Sequence, residues 1–159
     1  MPRVCVIAIG NPLRCDDGLA WHAADQLQSA PPPPDLTILK VHQLTPEIAQ
    51  DLSAVDLAIF VDASAAGAAG ELHVQEVKPG TQPNNLTHQA TPAGVLALAA
   101  ILFGKCPRAL LVSLAAKSFD HGDSLSPEVM EKLPHLIRKL QELIADLRDD
   151  VSLGSSRNR

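Results

Sequence analysis

The chain alternates between short continuous apolar runs and longer segments in which apolar residues recur with the helical period. Strands of a parallel sheet covered on both faces are continuous apolar runs, whereas half-buried strands alternate apolar and polar positions. Four runs of the first kind and one alternating edge segment predict strands: Val4–Ile9, Leu36–Val41, Leu57–Val61, Ala109–Leu114 and Glu71–Val77. The pattern predicts an α/β fold, a three-layer sandwich with helices on both faces of a five-stranded, mostly parallel twisted sheet.

Helix starts are marked by a hydroxyl residue followed by proline, a pair suited to the N-cap and the first helical position. Three such pairs predict the starts of the second, third and fourth helices: Thr45-Pro46, Thr91-Pro92 and Ser126-Pro127. A first helix is predicted from about Asp17 to Gln28, and the third is expected to end at Gly104. The fourth carries a regular apolar stripe as far as Leu147, and Pro134 is expected to kink it.

Composition narrows the classes of function. A net charge of −5 and an aromatic content of 3% argue against a nucleic-acid groove, which needs clustered basic side chains and stacking platforms. No run approaches the roughly 18 apolar residues of a membrane span. Three cysteines without zinc-type spacing indicate reduced thiols, and hence a cytoplasmic protein. We expect residues 1–153 to form a single domain and residues 154–159 a polar, frayed tail.

Acidic side chains are predicted at the carboxyl edge of the sheet. Asp16 and Asp17 follow the first strand through the turn Gly10-Asn11-Pro12, and Asp62 ends the third strand. If the strand order begins 2-1-3, these carboxylates flank the crevice where open parallel sheets bind ligands. Capping of a helix N-terminus explains Asp16 and Asp17 equally well by spacing alone. Asp62 follows a buried run and precedes small residues, which favours a ligand, a cation or a hydrogen-bond network.

A histidine completes a possible metal-binding set. His88 lies in the loop before the helix that starts at Thr91. A single loop histidine is more often solvated than functional. Together with Asp17 and Asp62, however, it would form a set of oxygen and nitrogen ligands suited to a borderline divalent metal with open positions.

Other candidates keep two interpretations each. Cys15 is either a soft ligand or, as we favour, a passive thiol. His42 either orients a substrate peptide or caps the following helix. His121 and Asp123 either contact a partner or belong to a solvated turn. The chain has no GxSxG, GxGxxG or P-loop motif, so neither serine hydrolysis nor nucleotide binding is indicated.

These residues carry a resemblance to a known family. The stretch Gly10-Asn11-Pro12-Leu13-Arg14-Cys15-Asp16-Asp17-Gly18 is similar to the opening signature Gly-Asn-x-Leu-x-x-Asp-Asp/Glu-Gly of the NiFe-hydrogenase maturation endopeptidases. The resemblance continues with Val61-Asp62-Ala63, with His88 ahead of a leucine-rich helix, and with the loop from Phe119 to Pro127. It covers the chain from about Val4 to Leu147.

The resemblance implies an endopeptidase that removes a short C-terminal extension from the hydrogenase large-subunit precursor after nickel insertion. It implies that Asp17, Asp62 and His88 recognise the nickel and form the catalytic site. The nickel is expected to arrive on the precursor and to be bound only transiently, and water is the expected attacker. The precursor is the expected partner, with no nucleic acid and no membrane, and the protein is expected to be a monomer.

The segment after the second strand departs from the common family pattern. Many relatives have Asp-Gly-Gly-Thr there, whereas this chain has His42-Gln43-Leu44-Thr45-Pro46-Glu47. This variant resembles the subgroup that serves bidirectional, NAD(P)-linked hydrogenases. A proline-stiffened turn presents a different shape and different donors from a Gly-Gly turn, so we expect the segment to influence which precursor is accepted.

A receiver-like phosphoacceptor signalling domain is the alternative. Such domains also carry paired acids after strand one, an aspartate at the end of strand three and a lysine after strand five. Asp62 would then be the phosphorylation site, Asp16 and Asp17 would hold magnesium, and Lys117 would be the lysine. The acids lie well beyond the end of the first strand, and no Met-Pro turn follows Asp62. We therefore favour the protease.

Overall fold

The computed structural model describes residues 2–80 and 90–155. Within these ranges, five strands form one sheet: β1 (Val4–Ile9), β2 (Leu36–Val41), β3 (Leu57–Ser64), β4 (Leu72–Val77) and β5 (Arg108–Ala115). Four helices accompany them: α1 (Leu19–Gln28), α2 (Ile48–Ser53), α3 (Pro92–Phe103) and α4 (Pro127–Ser155). A 3-10 turn, Cys15–Gly18, immediately precedes α1.

The strand order is β2-β1-β3-β5-β4, so the predicted 2-1-3 arrangement is confirmed. Pairings β2–β1, β1–β3 and β3–β5 are parallel, whereas β4 pairs with β5 in the antiparallel sense. The alternating segment therefore lies at the sheet edge, as its pattern indicated. The α/β fold with a mostly parallel, five-stranded sheet is confirmed.

An apolar core lies on each face of the sheet, between the strands and the helices that cover that face. Along β1, Val4, Val6 and Ala8 point to the core formed with α1 and α4, while Cys5, Ile7 and Ile9 point to the core formed with α2 and α3. All six residues are buried, which explains why this strand is a continuous apolar run. The prediction of helices on both faces is thus confirmed.

Helix α2 starts later than predicted. Thr45 does not cap it, and no side-chain hydrogen bond caps its N-terminus. The residues from Thr45 to Glu47 instead form tight turns, in which Ile48 N–H donates to the Thr45 carbonyl at 3.2 Å. The Thr45 hydroxyl pairs with the Glu47 carboxylate, which helps to lower the pKa of Glu47 after the larger effect of the residue's own backbone N–H.

The other helix starts agree with their sequence signals. The Thr91 hydroxyl accepts a hydrogen bond from Gly94 N–H at 3.0 Å, and α3 ends at Gly104 in the left-handed conformation. Helix α4 begins directly after Ser126 and runs through Pro134 as far as Ser155, past the apolar stripe that ends at Leu147 and two residues into the predicted tail. Across residues 2–80 and 90–155, no helix combines the length and the apolar character that crossing a membrane requires.

Candidate functional site

The turn between β1 and α1 (residues 10–18) brings Asp17 back to the carboxyl end of β1. Gly10 has φ of 147°, and a Cβ atom placed there would lie 1.9 Å from the Asp17 carbonyl oxygen. Only glycine permits so close an approach. Gly10 N–H also donates to the Val41 carbonyl at 3.0 Å, which ties the turn to the end of β2. The glycine therefore determines where Asp17 lies.

The Asp17 side chain is held by the turn itself. Its Oδ2 atom accepts a hydrogen bond from the backbone N–H of Asn11 at 2.9 Å. Asn11 in turn is oriented by its own side chain, whose Oδ1 accepts from Leu13 N–H at 2.9 Å. The half-buried carboxylate of Asp17 thus faces back across the turn, and it does not serve as an ordinary helix cap.

Asp62 lies inside β3, because this strand extends to Ser64 and not only to Val61 as the apolar run predicted. It is in register with Ser113 of β5, and its Oδ1 accepts from Ala63 N–H at 2.8 Å. Burial raises the pKa of Asp62 to about 6, the Ala63 N–H opposes this rise, and the negative charge of Asp17 adds to it. Asp17 lies against Gly10 at the end of β1, and Asp62 lies near the end of the neighbouring strand β3, so the structure places the two carboxylates at one edge.

His88, the third predicted ligand, lies outside the described residues. Between residues 2 and 80 and between 90 and 155, no group of three ligand-type side chains is arranged to hold a metal ion. The set of Asp17, Asp62 and His88 therefore stays a prediction. Two of its members share the carboxyl edge.

Asp16 has a different role from its neighbour. Its side chain is completely buried and accepts four hydrogen bonds: from Lys117 N at 2.8 Å, Ser118 N at 3.0 Å, Ser126 N at 2.7 Å and Ser126 Oγ at 2.8 Å. Burial alone would raise the pKa of Asp16, but these hydrogen bonds outweigh it and hold the pKa below its ordinary value. Asp16 therefore supports the start of α4 and is not a cap of its own helix.

The loop between β5 and α4 (residues 116–126) is joined to the first turn. Cys15 N–H donates to the Gly122 carbonyl at 2.8 Å, and Gly122 N–H donates to the Leu13 carbonyl at 2.9 Å. Cys15 has φ of 47°, an uncommon conformation for a side chain other than glycine. These hydrogen bonds bring the loop to the carboxyl edge of the sheet. His121 and Asp123, which flank Gly122, are exposed there.

His42 lies at the end of β2 and contacts an aromatic residue that the sequence analysis did not identify. Its ring meets that of Trp21 edge-on, with centroids 5.1 Å apart. Trp21 Nε1 donates to the Val41 carbonyl at 3.0 Å, the same oxygen that accepts from Gly10. The alternative in which His42 caps the next helix is wrong, because no side chain caps α2. His42 is exposed beside the turn that carries Asp17.

The receiver-like alternative does not fit the positions of its key residues. Asp16 is fully buried among four donors, so its carboxylate is not available to a magnesium ion. Lys117 points along the surface and pairs with Glu128 at 2.6 Å. A receiver needs both groups directed at Asp62, so the geometry argues against this class.

The raised pKa of Asp62 makes a prediction about stability. Its pKa in the folded chain, about 6, lies above the ordinary 3.8, so the ionised form is disfavoured by folding. This destabilisation is absent below about pH 4, grows between about pH 4 and pH 6, and reaches its full size above about pH 6. The free energy of unfolding of Asp62→Asn should therefore exceed that of the parent by about 1–3 kcal/mol at pH 7.5, with no such difference at pH 4.

Urea denaturation at four pH values between 4 and 7.5 measures this difference. Asp56→Asn is the matched control, since Asp56 lies just before the opposite end of β3 and accepts from Arg3 N–H at 2.7 Å. A stability difference for Asp62→Asn that does not change with pH would contradict the assigned pKa.

The chain has the fold of the hydrogenase maturation endopeptidases, as solved structures show. The hydrogenase maturating endopeptidase HybD from E. coli superposes with a TM-score of 0.72 at 23% identity, covering 93% of each chain. The NiFe hydrogenase maturation protease HycI from Thermococcus kodakarensis also gives a TM-score of 0.72 at 23% identity, covering 91% of this chain and 93% of that one. A hydrogenase 2 maturation peptidase from a Thaumarchaeota archaeon gives 0.69 at 23% identity, covering 90% and 98%.

No protein-family model matches the chain, and no curated protein does. The solved structures nevertheless confirm the resemblance of the sequence motifs at the level of the fold.

Proposed function

We propose that this protein is an endopeptidase that removes the C-terminal extension of a NiFe-hydrogenase large-subunit precursor once nickel has been inserted. The observation that carries the proposal is the placement of two carboxylates, Asp17 and Asp62, at the carboxyl ends of the paired strands β1 and β3. Structures with the same fold are named as maturation endopeptidases of hydrogenases, which supports this reaction.

In the proposed reaction, Asp17, Asp62 and His88 bind the nickel ion that the precursor carries. Carboxylate oxygens and an imidazole nitrogen suit a divalent ion of this kind and leave positions for the ligands of the precursor itself. Recognition of nickel would thus place the scissile peptide at the carboxyl edge of the sheet.

Water is the proposed nucleophile, and Asp62 the proposed proton carrier. The Asp62 carboxylate can accept a proton from the attacking water and return it to the leaving amine. Asp17, oriented by Asn11 N–H, would hold the substrate nickel. The amide C–N bond breaks, and the precursor gains a new C-terminal carboxylate.

We further propose that nickel is cargo and not a resident cofactor. Three oxygen and nitrogen ligands without an assured thiolate hold nickel weakly against cellular chelators. The purified protein is expected to contain well under one equivalent of metal after dialysis, as measured by elemental analysis. One tightly held zinc or nickel per chain, resistant to chelator and needed for folding, would contradict this.

The proposed setting is the cytoplasm, where a reducing environment suits the three free thiols. The precursor is the proposed partner, and the protein is proposed to act as a monomer, without nucleic acid or membrane.

Selectivity between precursors is proposed to depend on the segment His42–Glu47. His42 is exposed, contacts Trp21 and follows Val41, whose carbonyl accepts from Gly10. Exchanging the segment for Asp-Gly-Gly-Thr is expected to change the ratio of kcat/KM between two nickel-loaded precursors by about tenfold or more, with less effect on cleavage of the better substrate. An unchanged ratio in a folded variant would assign selectivity elsewhere, most directly to residues 119–126.

A single incubation tests the proposed reaction. The purified protein is mixed with a nickel-loaded large-subunit precursor, and the intact mass of the precursor is followed. Loss of one C-terminal peptide is the expected result, and an unchanged mass would contradict the proposal. Incubation with acetyl phosphate tests the receiver alternative, and we expect the protein to gain no phosphate.

A further inference from the structure

We propose that Asp16 is a positioning residue that holds Asp17 in its working orientation by tying the β1–α1 turn to the loop of residues 116–126. The inference rests on the proposed function for its consequence in catalysis. It rests on the structure alone for its effect on Asp17.

The contacts of Asp16 join parts of the chain that are more than a hundred residues apart in sequence. Its carboxylate accepts backbone N–H groups from Lys117 and Ser118 at the end of β5, and from Ser126 at the start of α4. The Ser126 hydroxyl supplies a fourth bond. The N-terminus of a helix attracts negative charge, so the start of α4 and the three N–H donors together balance the buried carboxylate. Asp16 is thus a fixed link between two site loops.

This link reaches Asp17 through a short, constrained backbone. Asp16 N–H donates to the Ser118 carbonyl at 3.1 Å, so the backbone and the side chain of Asp16 both bond to the same loop. The preceding residue, Cys15, is held at φ of 47° while its N–H donates to Gly122. The following Gly18 lies so close to Pro12 that a Cβ atom would be 2.7 Å from the Pro12 Cα. Asp17 therefore lies between Asp16 and Gly18, two residues whose backbone positions are constrained by these contacts.

The side chain of Asp17 shows the result. Its Oδ2 receives the Asn11 N–H at 2.9 Å across the turn. If the Asp16 side chain loses its bonds, only backbone hydrogen bonds still join the 3-10 turn to the loop. The strained conformation of Cys15 then favours relaxation of the weakened turn. The Asp17 carboxylate then turns away from Asn11. The Asn11 amide is therefore a direct reporter of the orientation of Asp17.

The experiment compares Asp16→Asn with a control of similar stability loss. Asparagine keeps the shape but has one acceptor oxygen in place of two, so its NH₂ group must face either Ser126 N–H or the N–H groups of Lys117 and Ser118. The link is therefore weakened with little change in volume. Ile144→Ala is the control, because Ile144 is buried in α4 far along the helix from Ser126. In Asp16→Asn, hydrogen exchange of the Asn11 amide should accelerate by about tenfold or more under conditions where both variants are folded. In Ile144→Ala it should stay within about twofold of the parent.

Cleavage of nickel-loaded precursor gives the second readout. Asp16→Asn is expected to lower kcat by about tenfold or more, whereas Ile144→Ala should retain the parent kcat per folded molecule. If Asp16→Asn does not fold, Ser126→Ala takes its place; it removes one of the four bonds and is expected to accelerate Asn11 exchange about twofold to fivefold.

The outcomes separate the two proposals. An unchanged Asn11 exchange rate in Asp16→Asn, or an equal acceleration in Ile144→Ala, would overturn the positioning role. Accelerated exchange with an unchanged kcat would also overturn it. Failure of the parent protein to cleave the precursor would instead count against the proposed function, while the Asn11 measurement would still decide whether Asp16 orients Asp17.

Discussion

Replacing Asp62 with asparagine is expected to lower kcat/KM for precursor cleavage by at least about a thousandfold. Asparagine matches the shape of the side chain but offers neither a negative charge to nickel nor a base to the attacking water. Asp17→Asn is expected to have a loss of the same order, since groups that act as a unit are not additive. Intact-mass measurement of the nickel-loaded precursor at several times gives the rate for each variant.

The control for this experiment is Asp56→Asn, which makes the same chemical change just before the opposite end of β3, where Asp56 accepts from Arg3 N–H. It should cleave within about twofold of the parent. The predicted pattern for Asp62→Asn is a loss of activity with a gain in stability, which is typical of a residue retained for function. Normal cleavage by a folded Asp62→Asn would remove Asp62 from the site.

Gly10→Ala is expected to destabilise the protein by about 3–5 kcal/mol and to abolish cleavage. The new Cβ would lie 1.9 Å from the Asp17 carbonyl oxygen, at φ of 147°. The backbone atoms of the turn must therefore move, which adds overlap to conformational strain. For a chain of this size the melting temperature should fall by roughly 10 °C.

Gly104→Ala is the matched control for that variant. Gly104 also has a positive φ, of 67°, but a Cβ atom there meets nothing within 4 Å. Only the conformational cost of about 1 kcal/mol applies, and cleavage should be retained. Thermal unfolding followed by circular dichroism compares the two variants. Equal losses for both would show that contact with Asp17 does not constrain Gly10.

The strands could be predicted because their burial is written in a local pattern. Both faces of β1 are covered, so Val4–Ile9 is a continuous apolar run, and the one-sided alternation of β4 marks it as the edge. The start of α2 could not be predicted in the same way. Thr45-Pro46-Glu47 has the composition of a helix start, but these residues form turns before the helix begins at Ile48.

The site was predictable only in part. The positions of Asp17 and Asp62 follow from the strand order and from the rule that ligands bind at carboxyl ends. The role of Asp16 was not predictable, because Lys117, Ser118 and Ser126 are 101 to 110 residues away and donate mainly through backbone N–H groups. Backbone donors leave no signal in side-chain identity. Contacts that backbone groups make between residues far apart in the chain therefore cannot be predicted from local sequence patterns.

The most direct test of the central claim is to present the same precursor with and without nickel. The intact mass of each form is measured after incubation with the purified protein, and Asp62→Asn serves as the control for both. The nickel-loaded precursor is expected to lose its C-terminal peptide, while the nickel-free precursor is expected to stay intact. Equal cleavage of the two forms, or cleavage of neither, would contradict it.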